Sequence, residues 1–257
     1  IGHNRYSTTG ETSLRNIQPF FADLHMGGLS IAHNGNLTNA ITLRNDLVKN
    51  GSIFRTSSDT ETFVQLIAQS RRLKIIDKIT EALFKIQGGY AFVILTNKKL
   101  IGIRDPLGIR PLVIGKLGKS FVLASETCAL DIVDAKFIRE VENGEMIVIE
   151  NNEIKSFKPF NKVKSRPCVF EYIYFARPDS VLNGECAYEY RKRLGEELAR
   201  ESEVEADIVV PVPDSGVPAA IGYSQSSNIK FELGLIRNHY VGRTFIEPTQ
   251  HIRSLGV

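Results

Sequence analysis

The spacing of hydrophobic residues divides the chain into an early helical part and a later part of short strands. Between residues 36 and 88, three segments repeat apolar residues at intervals of three and four, which predicts three amphipathic helices. The second helix begins with Ser58 and Glu61, a spacing typical of a capping box, and buries Phe63, Leu66 and Ile67. Ahead of these helices, GGLSIAHNG predicts a short strand that ends in a turn at Gly35.

After Gly88 the pattern changes to short β-rich runs separated by turn residues. These runs are YAFVILT, KLIGIRD, PLVIG, SFVLAS and EMIVIE. Their length and spacing predict several antiparallel strands, so residues 1–157 are interpreted as one layered α/β domain. The polar and basic stretch that follows, with Pro159 and Pro167, predicts a linker over residues 158–168.

The last part of the chain predicts a second domain over residues 169–257. AYEYRKRLGEELAR places one apolar residue per turn on a helical face, namely Ala187, Tyr190, Leu194 and Leu198. ADIVVPVPDSG then predicts a buried strand that runs into a loop, and VPAAIGYSQS starts a helix. A strand, loop and helix in this order indicate a parallel sheet.

Composition excludes some classes of function. The 257 residues include 32 basic and 29 acidic side chains, and a net charge of +3 does not indicate nucleic acid or membrane as the main partner. The apolar runs are too short to predict a membrane-spanning helix. The three cysteines show no CxxC spacing, which favours a reducing compartment and gives no disulfide framework.

Three polar clusters in the first domain could bind a small amino acid. Arg5 could hold a carboxylate, although an isolated arginine in a polar loop is more often a surface residue. Asn34 and Gly35 could donate to a developing oxyanion, or they could form a simple turn. Asp59 could bind an ammonium group, or it could only stabilise a helix N-terminus. Taken together, the three clusters would fit glutamine.

A nucleophile is the part of such a site that these clusters lack. Cys128, in ASETCALD, lies at a predicted helix start, where a thiolate would be favoured. Because no histidine or other base motif surrounds it, Cys128 is interpreted as a small core residue.

Several longer motifs resemble one family, the amidophosphoribosyltransferases. They are GHNRYSTTG, NIQPF, AHNGNLTN, SSDTE, RDPLGIRPL, ASETCAL, CVFEYIYFARPDS, VPDSGVPAAIGYS and YVGRTFIEPTQ. The resemblance extends over essentially the whole chain, and YFARPDS and YVGRTFI are its most specific parts. It implies an α/β (α+β) protein: an N-terminal-nucleophile glutaminase domain of four αββα layers, then a type I phosphoribosyltransferase α/β domain, both truncated.

The resemblance assigns roles in glutamine hydrolysis. In this family an N-terminal cysteine attacks the glutamine amide, with its own amino group as the base. The chain begins at Ile1, so we expect a fragment that lacks this nucleophile and has no glutaminase activity. Arg5, with Thr8 nearby, would hold the glutamine α-carboxylate, and Asp59 would hold the α-amino group. Asn34 and Gly35 would form the oxyanion hole.

The resemblance also assigns roles in the second domain, where ammonia would attack C1 of phosphoribosyl pyrophosphate to give 5-phosphoribosylamine. Ser215 would help hold Mg²⁺ around the diphosphate, unless it is only a turn serine. Tyr240 and Arg243 would belong to a mobile loop over this substrate, in which His239 stands where arginine is more usual. Cys168 is either one ligand of a [4Fe–4S] cluster or a structural cysteine.

The expected setting is the start of purine biosynthesis in the cytoplasm. Glutamine and phosphoribosyl pyrophosphate are the expected partners, with purine nucleotides as feedback inhibitors, a homotetramer as the assembly, and no nucleic acid or membrane. Two alternatives stay open: a sugar-phosphate amidotransferase, which the motifs YFARPDS and YVGRTFI count against, and a non-catalytic glutamine or nucleotide sensor that keeps the pocket without the nucleophile.

Overall fold

The computed structural model describes residues 1–4, 13–238, 240 and 250–256 and contains two compact units. Unit 1 consists of Ile1–Ser125 and Val133–Pro167, and unit 2 consists of Glu126–Ile132 and Cys168–Val257. The division after Pro167 lies inside the stretch predicted as a linker. Glu126–Ile132, which the sequence placed in the first domain, packs instead with unit 2.

Unit 1 contains two antiparallel sheets. The larger has the strand order β1-β2-β3-β4-β8-β9, and the smaller has the order β6-β5-β7. The strands of the larger sheet are β1 Phe20–Leu24, β2 Gly27–Leu37, β3 Gly88–Thr96, β4 Leu100–Arg104, β8 Met146–Glu150 and β9 Glu153–Phe157. Those of the smaller sheet are β5 Val113–Leu117, β6 Ser120–Ala124 and β7 Lys136–Glu140.

Three helices cover one face of the larger sheet, and the smaller sheet covers the other. The helices are α1 Ala40–Lys49, α2 Asp59–Gln69 and α3 Ile75–Leu83. Side chains alternate across a strand, so in β3 Phe92 and Ile94 join the helical core while Ala91 joins the core beside the smaller sheet. The described residues of unit 1 therefore show an α, a β and a second β layer, which confirms the predicted mixed α/β class.

Two local predictions in unit 1 were wrong. β2 does not end in a turn at Gly35 but continues to Leu37, because Gly35 pairs with Tyr90 in β3. The expected capping box is also absent at the start of α2, since the Ser58 hydroxyl accepts from the N–H of Thr60. The Glu61 carboxylate accepts instead from backbone N–H groups of the preceding loop, those of Arg55 and Thr56, at 2.9 and 2.8 Å.

Unit 2 contains a hairpin, a parallel pair of short strands and several helices. Its elements are α4 Thr127–Ile132, a π-helical turn Glu171–Phe175, β10 Val181–Leu182, β11 Glu185–Cys186, α5 Ala187–Glu201, β12 Ile208–Val209, α6 Val217–Ser227, β13 Lys230–Phe231 and α7 Gln250–Gly256. β12 and β13 pair in parallel, as the strand, loop and helix order predicts. Among the described residues of both units, no helix has the length and apolar composition to cross a bilayer.

The buried face of α5 differs from the predicted one. Leu194 and Leu198 are 41% and 52% exposed, whereas the buried positions are Ala187, Arg191, Gly195 and Ala199. The reason is the close approach of α6: a β-carbon on Gly195 would lie 1.8 Å from the carbonyl oxygen of Ala219. Two backbones can come this close only where one of the facing residues has no side chain.

The segment Glu126–Ile132 is joined to the rest of unit 2 by side-chain hydrogen bonds at the start of α4. The Glu126 carboxylate accepts from the backbone N–H of Arg177 at 2.9 Å and from the Ser180 hydroxyl at 2.7 Å. The Thr127 hydroxyl accepts from the N–H of Val181 at 2.8 Å. Cys128 is buried here, and this burial raises the pKa of its thiol, which fits the interpretation as a core residue.

Candidate functional site

The candidate oxyanion residues lie on β2 beyond its contact with β1. β1 pairs with β2 only as far as Ile31, whereas β3 pairs with β2 up to Leu37. The edge of β2 that faces away from β3 is therefore free of a strand partner at Asn34 and Gly35, as far as the described residues show. Backbone groups on such an edge are available to side chains or to a ligand.

The N–H of Gly35 points towards this edge. On the two sides of Gly35, the N–H of His33 donates to the Gln18 side-chain oxygen at 2.7 Å, and the N–H of Leu37 donates to Asp59 Oδ2 at 2.8 Å. Backbone direction repeats every second residue in a strand, so the Gly35 N–H has the same direction as these two. The N–H of Thr38, one residue later, bonds Gln87 on the opposite side.

Only glycine fits at position 35. Its φ of +141° is a backbone conformation that other residues rarely adopt. A β-carbon there would lie 2.1 Å from the carbonyl oxygen of Gly89, and this contact is with backbone that cannot move aside. The glycine is therefore required by the strand pairing, and it also leaves the open edge accessible.

The side chain of Asn34 is hydrogen-bonded to Arg110. The guanidinium Nη2 of Arg110 donates to Asn34 Oδ1 at 2.5 Å. Both residues are half-buried, and 76 positions separate them in the sequence. Because the oxygen of the amide accepts from Arg110, the amide NH₂ group is turned to another direction.

Asp59 is the first residue of α2, and its carboxylate joins this helix to β2. The side chain is 5% exposed, and besides the bond from Leu37 its Oδ1 lies 3.4 Å from the Thr60 hydroxyl and 3.7 Å from His33 Nδ1. Burial by itself raises the pKa of Asp59. The hydrogen bond and charge of His33 and the N–H of Leu37 lower it by more, so the pKa of Asp59 lies below its ordinary value. The carboxylate is therefore ionised at neutral pH, and it lies beside β2.

A buried polar network connects these residues, and only some of its members were predicted to have a role. His33 Nδ1 lies 3.1 Å from the Thr60 hydroxyl, which also accepts from the Gln18 amide at 3.1 Å. His3 Nε2 lies 2.9 Å from the His33 carbonyl oxygen. Gln18 lies in NIQPF and Arg110 lies in RDPLGIRPL. Both motifs contribute to the family resemblance, but neither residue was predicted to belong to the site.

Of the other residues predicted to bind glutamine, phosphoribosyl pyrophosphate or Mg²⁺, the structure describes Ser215 and Tyr240 but not the rest. Arg5, Thr8 and Arg243 lie outside the described residues. Tyr240 is 99% exposed, and its backbone N–H donates to Asn238 Oδ1 at 3.0 Å. Ser215 is half-buried in the turn that precedes α6.

The cysteines that the structure describes do not form a cluster site. Cys168 and Cys186 are half-buried free thiols and Cys128 is a buried one. Within the described ranges, no group of three or more histidine, cysteine or acidic side chains is close enough to hold a metal ion. A [4Fe–4S] cluster needs four thiolates, so the residues present here do not fit it by themselves.

Comparison with known proteins matches the first half of the chain to one family model and the whole chain to curated relatives. A family model described as a glutamine amidotransferase domain matches residues 3–131. An amidophosphoribosyltransferase from Rhizobium etli is 56% identical over 100% of this chain and 53% of its own length.

Solved structures are also similar to this chain, and two of them illustrate the match. A structure described as the allosteric regulatory enzyme of purine biosynthesis is 48% identical, with a TM-score of 0.90 over 99% of this chain and 55% of that one. A Bacillus subtilis glutamine phosphoribosylpyrophosphate amidotransferase complexed with ADP and GMP is also 48% identical, with a TM-score of 0.88 and the same coverage.

The chain thus spans about half the length of the curated relatives and solved structures that it matches. Its similarity to them covers both units, whereas the domain model covers the part that contains β2, α2 and the loop of Arg110. From the matched model and the geometry of these elements together, we conclude that the chain belongs to the glutamine amidotransferase domain family and is related over its whole length to amidophosphoribosyltransferases.

Proposed function

We propose that the full-length protein is a glutamine-dependent amidophosphoribosyltransferase. It would hydrolyse the side-chain amide of glutamine and transfer the ammonia to C1 of phosphoribosyl pyrophosphate. The products would be glutamate, pyrophosphate and 5-phosphoribosylamine, at the start of purine biosynthesis. The observation that carries the proposal is the pair of donors at the open edge of β2, the Gly35 N–H and the Asn34 amide, beside the buried carboxylate of Asp59.

Amide hydrolysis develops negative charge on the former carbonyl oxygen, and preorganised donors stabilise that charge. The Gly35 N–H and the Asn34 NH₂ group would supply two donors without rearrangement, because strand pairing fixes the first and Arg110 fixes the second. Asp59 would bind the α-amino group of glutamine, while Arg5 and Thr8 would bind the α-carboxylate. The nucleophile would be the N-terminal cysteine that the family resemblance implies, with its own amino group as the base.

The second half-reaction would take place in unit 2. Ser215 precedes α6, whose N-terminal N–H groups favour an anion such as a diphosphate. Mg²⁺ would bind there with the diphosphate, and Tyr240 and Arg243 would cover the substrate. The exposure of the Tyr240 side chain is compatible with a loop that closes only on substrate.

Regulation and assembly are proposed from the relatives of this chain. Feedback by purine nucleotides is supported by the ADP and GMP in the Bacillus subtilis complex. A homotetramer in the cytoplasm and a [4Fe–4S] cluster that includes Cys168 are carried over from the family resemblance. The sugar-phosphate amidotransferase is not favoured, because the match to amidophosphoribosyltransferases continues through unit 2.

The test compares two nitrogen sources in the full-length protein. Wild type should release pyrophosphate from phosphoribosyl pyrophosphate with either glutamine or ammonium chloride. Asn34→Ala should lose about 10²–10³ in kcat with glutamine but keep its activity with ammonium, whereas Arg243→Ala should lose both. A wild-type protein that binds glutamine but forms no pyrophosphate with either source would contradict the proposal and favour the sensor.

A further inference from the structure

The motif RDPLGIRPL folds into a loop around one buried carboxylate. Asp105 follows β4 and is completely buried. Its carboxylate accepts from the backbone N–H groups of Leu107, Ile109 and Arg110 at 3.0, 3.1 and 3.1 Å. Three hydrogen bonds to a single charged acceptor fix the backbone path from residue 105 to residue 110. The direction in which Arg110 leaves the loop is therefore determined by Asp105.

The same carboxylate connects this loop to the strands of the candidate site. The N–H of Tyr90 also donates to Asp105 Oδ2, at 3.3 Å. Tyr90 lies directly opposite Gly35 in the pairing of β2 with β3. Asn34, the neighbour of Gly35, accepts a hydrogen bond from the guanidinium of Arg110. A continuous set of contacts thus joins Asp105, Arg110 and the two candidate oxyanion residues.

We propose that Arg110 is a positioning residue that sets the orientation of the Asn34 side-chain amide, an inference that rests on the proposed glutamine hydrolysis. The two ends of an asparagine amide have opposite hydrogen-bonding character, since the oxygen only accepts and the nitrogen only donates. A guanidinium has donors only, so it can bond Asn34 through Oδ1 and not through Nδ2. The amide NH₂ group is then available as a donor for the oxyanion.

The role of Arg110 follows from what its removal permits. Without a donor at Oδ1, the amide can rotate by about 180° about its last side-chain torsion, which is broad and roughly two-fold. In the rotated state an oxygen would face the oxyanion, and this like-charge contact would oppose the reaction. Binding of glutamine through its α-amino and α-carboxylate groups does not use this amide. Removal of Arg110 should therefore lower kcat and leave KM nearly unchanged.

The kinetic test uses glutamine hydrolysis by the full-length protein. Arg110→Met should lower kcat by about tenfold to hundredfold while KM stays within about threefold. Arg110→Lys, which keeps one donor and the charge, should recover part of that loss. Retained ammonium-dependent activity in each variant shows that it has folded. A normal kcat in Arg110→Met, or an equal loss in kcat and in ammonium-dependent activity, would overturn the inference.

A double-mutant cycle separates positioning through Asn34 from a direct effect of the arginine charge. In the Asn34→Ala background, Arg110→Met should cause little further loss of kcat, since the group that it positions is already gone. Additive losses would show that Arg110 acts independently of Asn34 and would contradict the proposal.

The amide orientation can also be observed without catalysis. In protein labelled with ¹⁵N-asparagine, the Asn34 NH₂ group should give one sharp pair of signals in wild type and broadened or doubled signals in Arg110→Met. Unchanged Asn34 signals in Arg110→Met would overturn the inference even in an active enzyme. If wild type shows no glutamine hydrolysis, the proposed function fails, while the NMR comparison still decides whether Arg110 orients Asn34.

Discussion

Tyr90 and Asp105 are joined by two hydrogen bonds that run in opposite directions. The backbone N–H of Asp105 donates to the Tyr90 carbonyl oxygen at 2.9 Å, and the N–H of Tyr90 donates to the Asp105 carboxylate at 3.3 Å. Burial raises the pKa of both side chains, and the negative charge of Asp105 raises that of Tyr90 further. One acidic residue therefore connects β3 to the loop that follows β4.

The first prediction concerns the charge of Asp105. Asp105→Asn should lower the free energy of unfolding by about 2–4 kcal/mol, because an amide offers one acceptor atom and turns an NH₂ group towards backbone donors. Urea denaturation of the full-length protein, followed by a probe in unit 1, measures the loss. Asp23→Asn is the matched control, because Asp23 is exposed on β1 and its replacement should change stability by less than about 0.5 kcal/mol.

The second prediction concerns the close approach of β2 and β3. Gly35→Ala should lower stability by more than about 3 kcal/mol or prevent folding, since its new methyl group would meet the Gly89 carbonyl oxygen. Gly51→Ala is the control: Gly51 also has a positive φ, but a β-carbon there meets no atom within 4 Å. Its cost should be about 1 kcal/mol. Equal thermal shifts in the two variants would show that the contact with Gly89 is unimportant.

The third prediction is a pH dependence that comes from Glu145. This side chain is 1% exposed and makes two bonds of 2.8 Å to Arg139 and one of 2.7 Å to the Ser156 hydroxyl. Burial raises the pKa of Glu145, but these bonds and the N–H of Glu142 lower it more, so the folded pKa lies below the ordinary 4.5. The stabilisation is present above pH 4.5 and is lost as the pH falls through the lower, folded value.

Glu145→Gln should therefore cost about 2 kcal/mol at pH 7 and flatten the loss of stability below pH 4.5. Unfolding free energies of both proteins, measured from pH 7 down to pH 3, test this direction of the pH dependence. Glu142→Gln should keep the wild-type slope, because the side chain of Glu142 is 60% exposed and its ion pair with Lys158 is a surface pair. A Glu145→Gln curve parallel to wild type would contradict the assignment.

The fourth prediction concerns the contact between α5 and α6. Gly195→Ala should destabilise unit 2 by about 2–3 kcal/mol, because the methyl group would push the two helices apart at Ala219. Glu197→Ala on the exposed side of α5 removes only a surface pair with Arg200 and should change stability by less than about 0.5 kcal/mol. Protection of the α5 and α6 amides from hydrogen exchange measures both effects, and equal protection in the two variants would be the contrary result.

Features that depend on neighbouring residues in the sequence were predicted well. Phe63, Leu66 and Ile67 are buried on α2, as their spacing indicates, because a helix brings residues three and four apart to one face. β1 and β9 were not predicted. Each is an edge strand of the larger sheet, and it is held by pairing with one neighbouring strand that its own sequence does not identify. The turn expected at Gly35 failed for a similar reason, because pairing with β3 outweighs the local tendency of Asn-Gly to turn.

The same limit applies to the candidate site. Asn34, Gly35 and Asp59 come from short motifs, and the structure places them near one another on β2 and at the start of α2. Their roles towards glutamine remain predictions. The contact between Arg110 and Asn34 spans 76 positions, and a single sequence gives no information about which distant residues meet. The leucines of α5 were misplaced for a comparable reason. Gly195 on α5 faces Ala219 and Gly222 on α6 faces Lys192, and these close backbone contacts decide which face of α5 is buried.

The position of Glu126–Ile132 has a consequence for how such a protein can be rearranged in evolution. The chain enters unit 2 at residue 126, returns to unit 1 at residue 133 and crosses again at residue 168. A gene fusion that joined a different second domain after residue 167 would leave Glu126 and Thr127 without the Ser180 hydroxyl and the Val181 N–H that they accept from. α4 would stay in the fused chain without the rest of unit 2. A single recombination point after residue 167 would therefore separate Glu126–Ile132 from the rest of the unit with which it packs.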